Sequence, residues 1–168
     1  SLTLISTMIA TTLLCALLVF GSAESLAFNK VDVQSCTGPA DVENFKEFRV
    51  THCDSLPCKV TTADTVKFEV DFVAKRASDT LRVYVKGSLV PGSKPSVLPG
   101  FNSDACNNMG VSCPLTAGQQ YTARSEFKLN VPGLPPAALP LTTEAVFSGK
   151  DAGGQFFCFK IPVVLSAP

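Results

Sequence analysis

The chain contains no tryptophan and one histidine, His52, among 168 residues. A lone histidine leaves little from which to build general acid–base catalysis or a histidine-rich metal centre. There is no Gly-x-Ser-x-Gly elbow and no glycine-rich phosphate loop, which removes the usual patterns of nucleophilic hydrolases and nucleotide-binding enzymes. Charge of one sign is not in excess either. Fourteen Lys and Arg balance fourteen Asp and Glu, so no electrostatic attraction to nucleic acid is expected. No Asn-x-Ser/Thr sequon occurs, which argues against an N-linked glycan. No window sustains a helical period, and this excludes a helix bundle.

Charge is also missing locally. From Ser1 to Ala23 there is none, and the run from Met8 to Phe20 is mostly apolar before small residues take over. This is the shape of a secretory signal peptide, residues 1–23, with cleavage before Glu24 or, as a second choice, before Phe28. The competing reading is a membrane anchor, because the stretch approaches the ~20 residues that span a bilayer; the small-residue end favours cleavage. Residues 24–168 then form the mature domain, secreted to the extracellular space or to a lysosomal or endosomal lumen. Cleavage removes Cys15 and leaves six cysteines, an even number in a secreted chain, for which disulfides are the default.

What is present is alternation. In "TVKFEVDFVAK", Val66, Phe68, Val70 and Phe72 share one face against Lys67, Glu69 and Asp71, the mark of a half-buried strand. "TLRVYVKGSLV" repeats it with Leu81, Val83 and Val85, and "ARSEFKLNV" with Phe127, Leu129 and Val131. "FNKVDV", "FKEFRV", "LTTEAVFSG" and "QFFCFKIPVVL" add weaker strands, the last with Phe157, Phe159, Ile161 and Val163 on one side. Short strands punctuated by Pro, Gly, Asn and Asp predict an all-β, antiparallel β-sandwich in one domain. "DAGGQ", Asp151 to Gln155, reads as a hairpin turn. Two loops, "VPGSKPSVLPGF" and "VPGLPPAALPL", are stiff and apolar; they either close the ends of the core or rim an opening.

The spacings Cys53-x4-Cys58 and Cys106-x6-Cys113 do not match structural zinc, and no Cys-x-x-Cys redox pair exists. No metal or cofactor is expected. Fifteen pairings of six cysteines are possible; proximity favours Cys53 with Cys58 and Cys106 with Cys113, leaving Cys36 with Cys158. His52 beside Cys53 reads as a surface or capping residue, not a base, and Asp41 with Glu43 and Asp64 with Glu69 read as solvated acids. No catalytic residue is expected.

The cysteine-bearing segments, in order "VDVQSC", "THCDSLPC", "DACNNMGVSCPLTAGQQY" and "FFCFKIPV", resemble those of the ML family of lipid-recognition domains, whose branches include the Niemann-Pick C type-2 proteins and the group 2 mite allergens. The resemblance implies the same three disulfides and an immunoglobulin-like sandwich whose two sheets splay around a hydrophobic cavity. It implies a non-enzymatic lipid-binding and transfer protein, acting as a monomer, with a sterol or fatty acid as ligand and a membrane or receptor as acceptor. The alternatives are an extracellular adaptor that presents bound lipid to an immune or chemosensory receptor, and a closed sandwich with no cavity. Joined to the inward strand faces, the resemblance makes Val66, Phe68, Val70, Phe72, Leu81, Val83, Leu98, Phe127, Leu129, Val131, Leu134, Phe147, Phe157 and Phe159 the candidate lining. It further implies that the Cys106–Cys113 loop staples the cavity mouth. Leu98 before Pro99 and Leu134 before Pro135 stand where the sterol-carrying branch has Phe-Pro and Tyr-Pro, a departure that counts against a sterol.

Overall fold

Apolar residues at every second position of Thr65–Val73 should turn to one side of a sheet, and in the computed structural model Val66, Phe68, Val70 and Phe72 are all buried there. The structure describes residues 27–88, 93–98, 101–129 and 141–168, with no side chains for residues 141–143. The expected leader, residues 1–23, lies outside the described residues, as do Val131, Leu134 and much of the two proline loops.

Ten strands occur among the described residues: β1 (Asn29–Lys30), β2 (Gln34–Ser35), β3 (Phe45–Val50), β4 (Cys58–Thr61), β5 (Thr65–Val73), β6 (Arg82–Gly87), β7 (Ser96–Val97), β8 (Gln120–Lys128), β9 (Leu141–Asp151) and β10 (Gly154–Ser166). One sheet has the order β1-β3-β5-β8 and the other β2-β10-β9-β6-β7, with β4 also on β10. The pairings are antiparallel except for β4, which runs parallel to β10 and aligns Cys58 with Val163. β10 is 13 residues long, so its edge serves β2 at Phe159–Lys160 and β4 from Val163 onward. Four residues of β4 beside a cysteine gave too little alternation to read as a strand.

The expected hairpin joins β9 to β10. Asp151 pairs with Gly154, whose φ of 114° lies in the region that favours glycine. Just beyond it the register slips between Gln155 and Phe157, and Phe156 and Phe157 are both buried. Such a bulge breaks strict alternation. Arg76 covers the bulge: its guanidinium lies 4.3 Å from the Phe156 ring centre, pairs with Asp151 and donates to the Gly154 carbonyl at 2.8 Å.

Cys36–Cys158, Cys53–Cys58 and Cys106–Cys113 are bonded, with Cα separations of 5.6, 4.6 and 5.6 Å. The third closes a loop containing α1 (Ala105–Asn108), a single turn capped by Asp104, which accepts from the Asn107 amide at 3.2 Å. One turn is too short to leave a helical period in the sequence.

Candidate functional site

The core between the sheets is built in two different ways along its length. In one half, rings meet rings. Phe48 lies 4.7 Å from Phe147 and 4.9 Å from Phe159, Phe147 stacks on Phe159 at 5.1 Å, and Phe72 lies 5.2 Å from Phe157. Gly149, across the ladder from Phe157, completes this half by absence. A Cβ there would stand 2.5 Å from the Phe157 ring, so the ring occupies the space that a side chain would need.

One step further along the same strands the side chains shrink. The cross-strand row Phe159–Phe147–Val85 is followed by Ile161–Ala145–Gly87. Here the sheets enclose a cavity of about 60 Å³. β3 and β5 contribute Val50, Thr51 and Val66; β8 and the residue after it contribute Phe127 and Leu129; Val60, Val85, Gly87, Leu98, Ala145 and Ile161 close it from the other sheet. Val163, Leu165, Cys58, Phe147, Ser88 and Glu144 complete the lining.

Its few polar lining groups are already engaged. The Thr51 hydroxyl, fully buried, accepts from the Lys67 amide at 3.0 Å. Ser88 meets Ser93, Oγ to Oγ, at 2.7 Å, and the Glu144 carboxylate pairs with Lys160 at 3.2 Å while neighbouring Ala145 takes the inward position. Among the described residues the lining therefore offers alkyl and phenyl surface, with no group poised for proton transfer or nucleophilic attack. Among the described residues no group of three or more His, Cys, Asp or Glu is placed to hold a metal ion.

Of the residues expected at the cavity, Val66, Leu98, Phe127, Leu129 and Phe147 line it. Phe68, Val70, Phe72, Leu81, Val83, Phe157 and Phe159 belong to the surrounding core and are buried without lining it. Val50, Val60, Val85, Gly87, Ala145, Ile161, Val163 and Leu165 were not in the expected set. Val85, Ile161 and Val163 carried a usable signal, since each stands on an inward face in the alternation. Gly87 and Ala145 carried none, because what they contribute is missing volume.

The Cys106–Cys113 loop sits at the aromatic half, away from the cavity. Ala105 donates to the Leu81 carbonyl at 2.9 Å, Leu115 bridges to Ser78, and Gly118 donates to Ala74 at 2.7 Å. All these partners lie near the start of β6 or the end of β5, whereas the cavity lies at the opposite ends of those strands. Cys58 of the Cys53–Cys58 bridge is the disulfide cysteine in the lining.

The remaining acids hold structure. Asp41 accepts from the Gln155 side chain at 2.7 Å and Asp64 accepts from the Thr61 amide at 2.7 Å. On the outer face of the four-stranded sheet, Arg49 contacts Glu69 at 2.7 Å and Asp71 at 2.8 Å, and Arg124 reaches Glu69 at 2.7 Å. Burial pushes the Glu69 carboxyl up, but hydrogen bonds from Arg124 and Arg49 outweigh it and leave the group below its ordinary value. His52 occupies the turn after β3 with φ of 60°, half-buried.

A family model of the ML domain matches residues 30–165. NPC intracellular cholesterol transporter 2 of Mus musculus is 27% identical over 158 residues, covering 94% of this chain and 97% of that protein. The NPC intracellular cholesterol transporter 2 homolog a of Drosophila melanogaster is 31% identical over 108 residues, 63% of this chain and 66% of the homolog. The crystal structure of a Niemann-Pick type C2 protein from Japanese carpenter ant superposes with a TM-score of 0.62 at 16% identity, over 83% of this chain and 99% of the ant protein, and so shares the fold. With the family model running from the end of β1 into β10 and the cysteine-bearing segments in the expected order, the chain belongs to the ML-domain family.

Proposed function

We propose that the protein is a non-enzymatic carrier that holds one apolar lipid between its sheets and passes it to an acceptor. The observation that carries this reading is the cavity between the sheets, lined by alkyl and phenyl groups with its polar lining atoms already hydrogen-bonded or ion-paired. Such a surface gains about 25 cal/mol per Å² of ligand area buried, before the costs of binding are subtracted. Family membership and relatives named as cholesterol transporters support a lipid as cargo, sterol or fatty acid.

The cavity of about 60 Å³ is several-fold smaller than the ~300 Å³ at the lower end of ligand pockets. Loading therefore parts the sheets, and the ligand exchanges its contacts for those the side chains make with one another. Residues 1–23 act as the cleaved leader and 24–168 as a secreted monomer; three disulfides suit an oxidising compartment. The acceptor is a membrane or a receptor.

The test is mass spectrometry of lipid extracted from protein purified from its natural host, followed by titration of the delipidated protein with fluorescent fatty-acid and sterol probes. One lipid per chain, and saturable rebinding of a probe, is the expected result. No co-purified lipid and no probe binding, in protein shown to be folded by circular dichroism, would overturn the reading.

A further inference from the structure

Gly87 is an inward-facing strand residue with no backbone reason to be glycine. It pairs with Ala145 in the β6–β9 ladder, and its φ lies outside the left-handed region that side chains avoid. Glycine inside a strand weakens it, and one that persists marks a bulge or a close approach. No register slip interrupts the β6–β9 pairing at Gly87. What approaches Gly87 is a side chain: a Cβ built there would lie 3.3 Å from Leu98 Cδ2. Gly149 in the aromatic half makes the contrast, since its missing side chain is replaced outright by the Phe157 ring. At Gly87 the space is shared between Leu98 and the cavity.

The main chain of Leu98 is fixed, because its amide donates to the Val85 carbonyl at 3.0 Å. Only its side chain can turn. The two edges of the cavity are also unequal. On one edge the crossover from β3 to β4 carries the chain between the sheets and is cinched by Cys53–Cys58. On the other, β8 faces β6 and β7 with no disulfide between the sheets at this end among the described residues, and the chain passes from β8 to β9 through residues 130–140. The inward side chains are smallest in the row Ile161–Ala145–Gly87, so the gap between the sheets is widest over Gly87 and Ala145, beside Leu98.

We propose that Gly87 is a specificity-determining residue: its absent side chain makes a slot into which a single alkyl chain enters as Leu98 rotates out. This deepens the carrier reading and rests on it. A polymethylene chain can enter this gap lengthwise as Leu98 turns and the sheets part by little more than the width of one chain. A rigid fused-ring ligand is wider than the gap that one missing side chain leaves and needs the sheets to part much further. The ligand class is thus a single-chain amphiphile, such as a long-chain fatty acid, in preference to a sterol.

The experiment titrates delipidated full-length mature protein with a fluorescent C18 fatty acid and with a fluorescent sterol, comparing wild type, Gly87→Val, and Gly87→Val with Leu98→Ala. Gly87→Val should weaken the fatty acid by about tenfold or more, the scale of a few methylenes in an apolar pocket. Its melting temperature should hold or rise, because a β-branched residue replaces glycine in a strand beside unfilled space. Removing the Leu98 side chain from that variant should restore affinity to within a few-fold of wild type, as exchange of one volume for another requires. If Gly87→Val does not fold, Gly87→Ala carries the same test, with a loss in the same direction. Equal fatty-acid affinity in wild type and the Gly87 variant overturns the role of Gly87. A sterol bound by wild type as tightly as the fatty acid overturns the ligand class. Wild type that binds neither probe refutes the carrier reading itself, which keeps the two failures apart.

Discussion

The same three strands, β6, β9 and β10, build both halves of this sandwich and build them to opposite ends. Where Phe157, Phe159 and Phe147 project inward, rings fill the gap so fully that Gly149 must lack a side chain to admit one of them. Where Ile161, Ala145 and Gly87 project inward, the same gap is left unfilled. Aromatic contacts add stability beyond the area they bury, whereas a void forfeits dispersion contacts on every wall. A domain that packs one half densely can leave the other half loose without unfolding. The aromatic half is the densely packed part of the core, and the cavity half is where the proposed ligand would be accommodated.

The comparison can be broken at the covalent level first. Cys36–Cys158 joins the region of β2 to β10 beside Phe159, across a separation of 122 residues. Replacing both cysteines by serine should cost roughly 5 kcal/mol on the chain-entropy account, read by urea unfolding, yet leave ligand affinity of the folded fraction unchanged. The next effect concerns rings. Phe48→Ala removes a buried side chain that touches Phe68, Phe147 and Phe159 and should cost about 3–5 kcal/mol. Ile161→Val in the cavity half should cost about 1 kcal/mol and change ligand affinity measurably. Equal stability losses from the two would erase the distinction between the halves.

Smaller is the penalty for a single methyl group. Gly149→Ala places a Cβ against the Phe157 ring and should destabilise by about 1–3 kcal/mol through overpacking, measured as a shift in denaturant midpoint. The two short-loop bridges separate the halves kinetically. Serine in place of Cys53 and Cys58 should speed ligand transfer to acceptor vesicles in stopped flow, because it loosens the cinched edge. Serine in place of Cys106 and Cys113 should not, because that loop packs on Leu81 and Ser78.

Acid provides the smallest test. Asp151 and Glu69 are held below their ordinary values of 3.8 and 4.5: burial pushes each up, but hydrogen bonds from Arg76 and Arg124 respectively prevail. A carboxyl depressed in the folded state binds fewer protons than its unfolded counterpart, so stability rises with pH through that window. The contribution should be complete above about pH 5 and fade as pH falls below these values. An Arg76→Gln variant should show a shallower acid loss in thermal melts than wild type.

Alternation made the strand faces legible before any coordinates. It marked Val66, Phe68, Val70 and Phe72 as inward, and all four are buried. Cysteine proximity led to the three bridges that are present. What a period of two cannot mark is position along a strand. It says that Phe68 and Val66 share a face, but not that the sheets close at one and part at the other. Hence Val66 and Phe127 line the cavity while Phe68 and Phe157 pack beside it. The Cys106–Cys113 loop was expected at the mouth from the family resemblance; spacing shows only that a loop is stapled, and its hydrogen bonds to Leu81 and Ser78 show which end it covers. Gly87 and Ala145 escaped notice because a cavity is made by atoms that are absent.

The central claim is that ligand enters between Gly87, Ala145 and Ile161 and not among the rings. The most direct measurement is intermolecular nuclear Overhauser contact between a carbon-13-labelled fatty acid and the methyl groups of the delipidated, reloaded protein. Val83 and Val85 stand two residues apart on β6, both fully buried, and only Val85 lines the cavity. Contacts to the methyls of Val85, Ile161 and Leu129, with none to Val83 or Leu81, are the predicted result; contacts to Val83 and Leu81 with none to Val85 would contradict it.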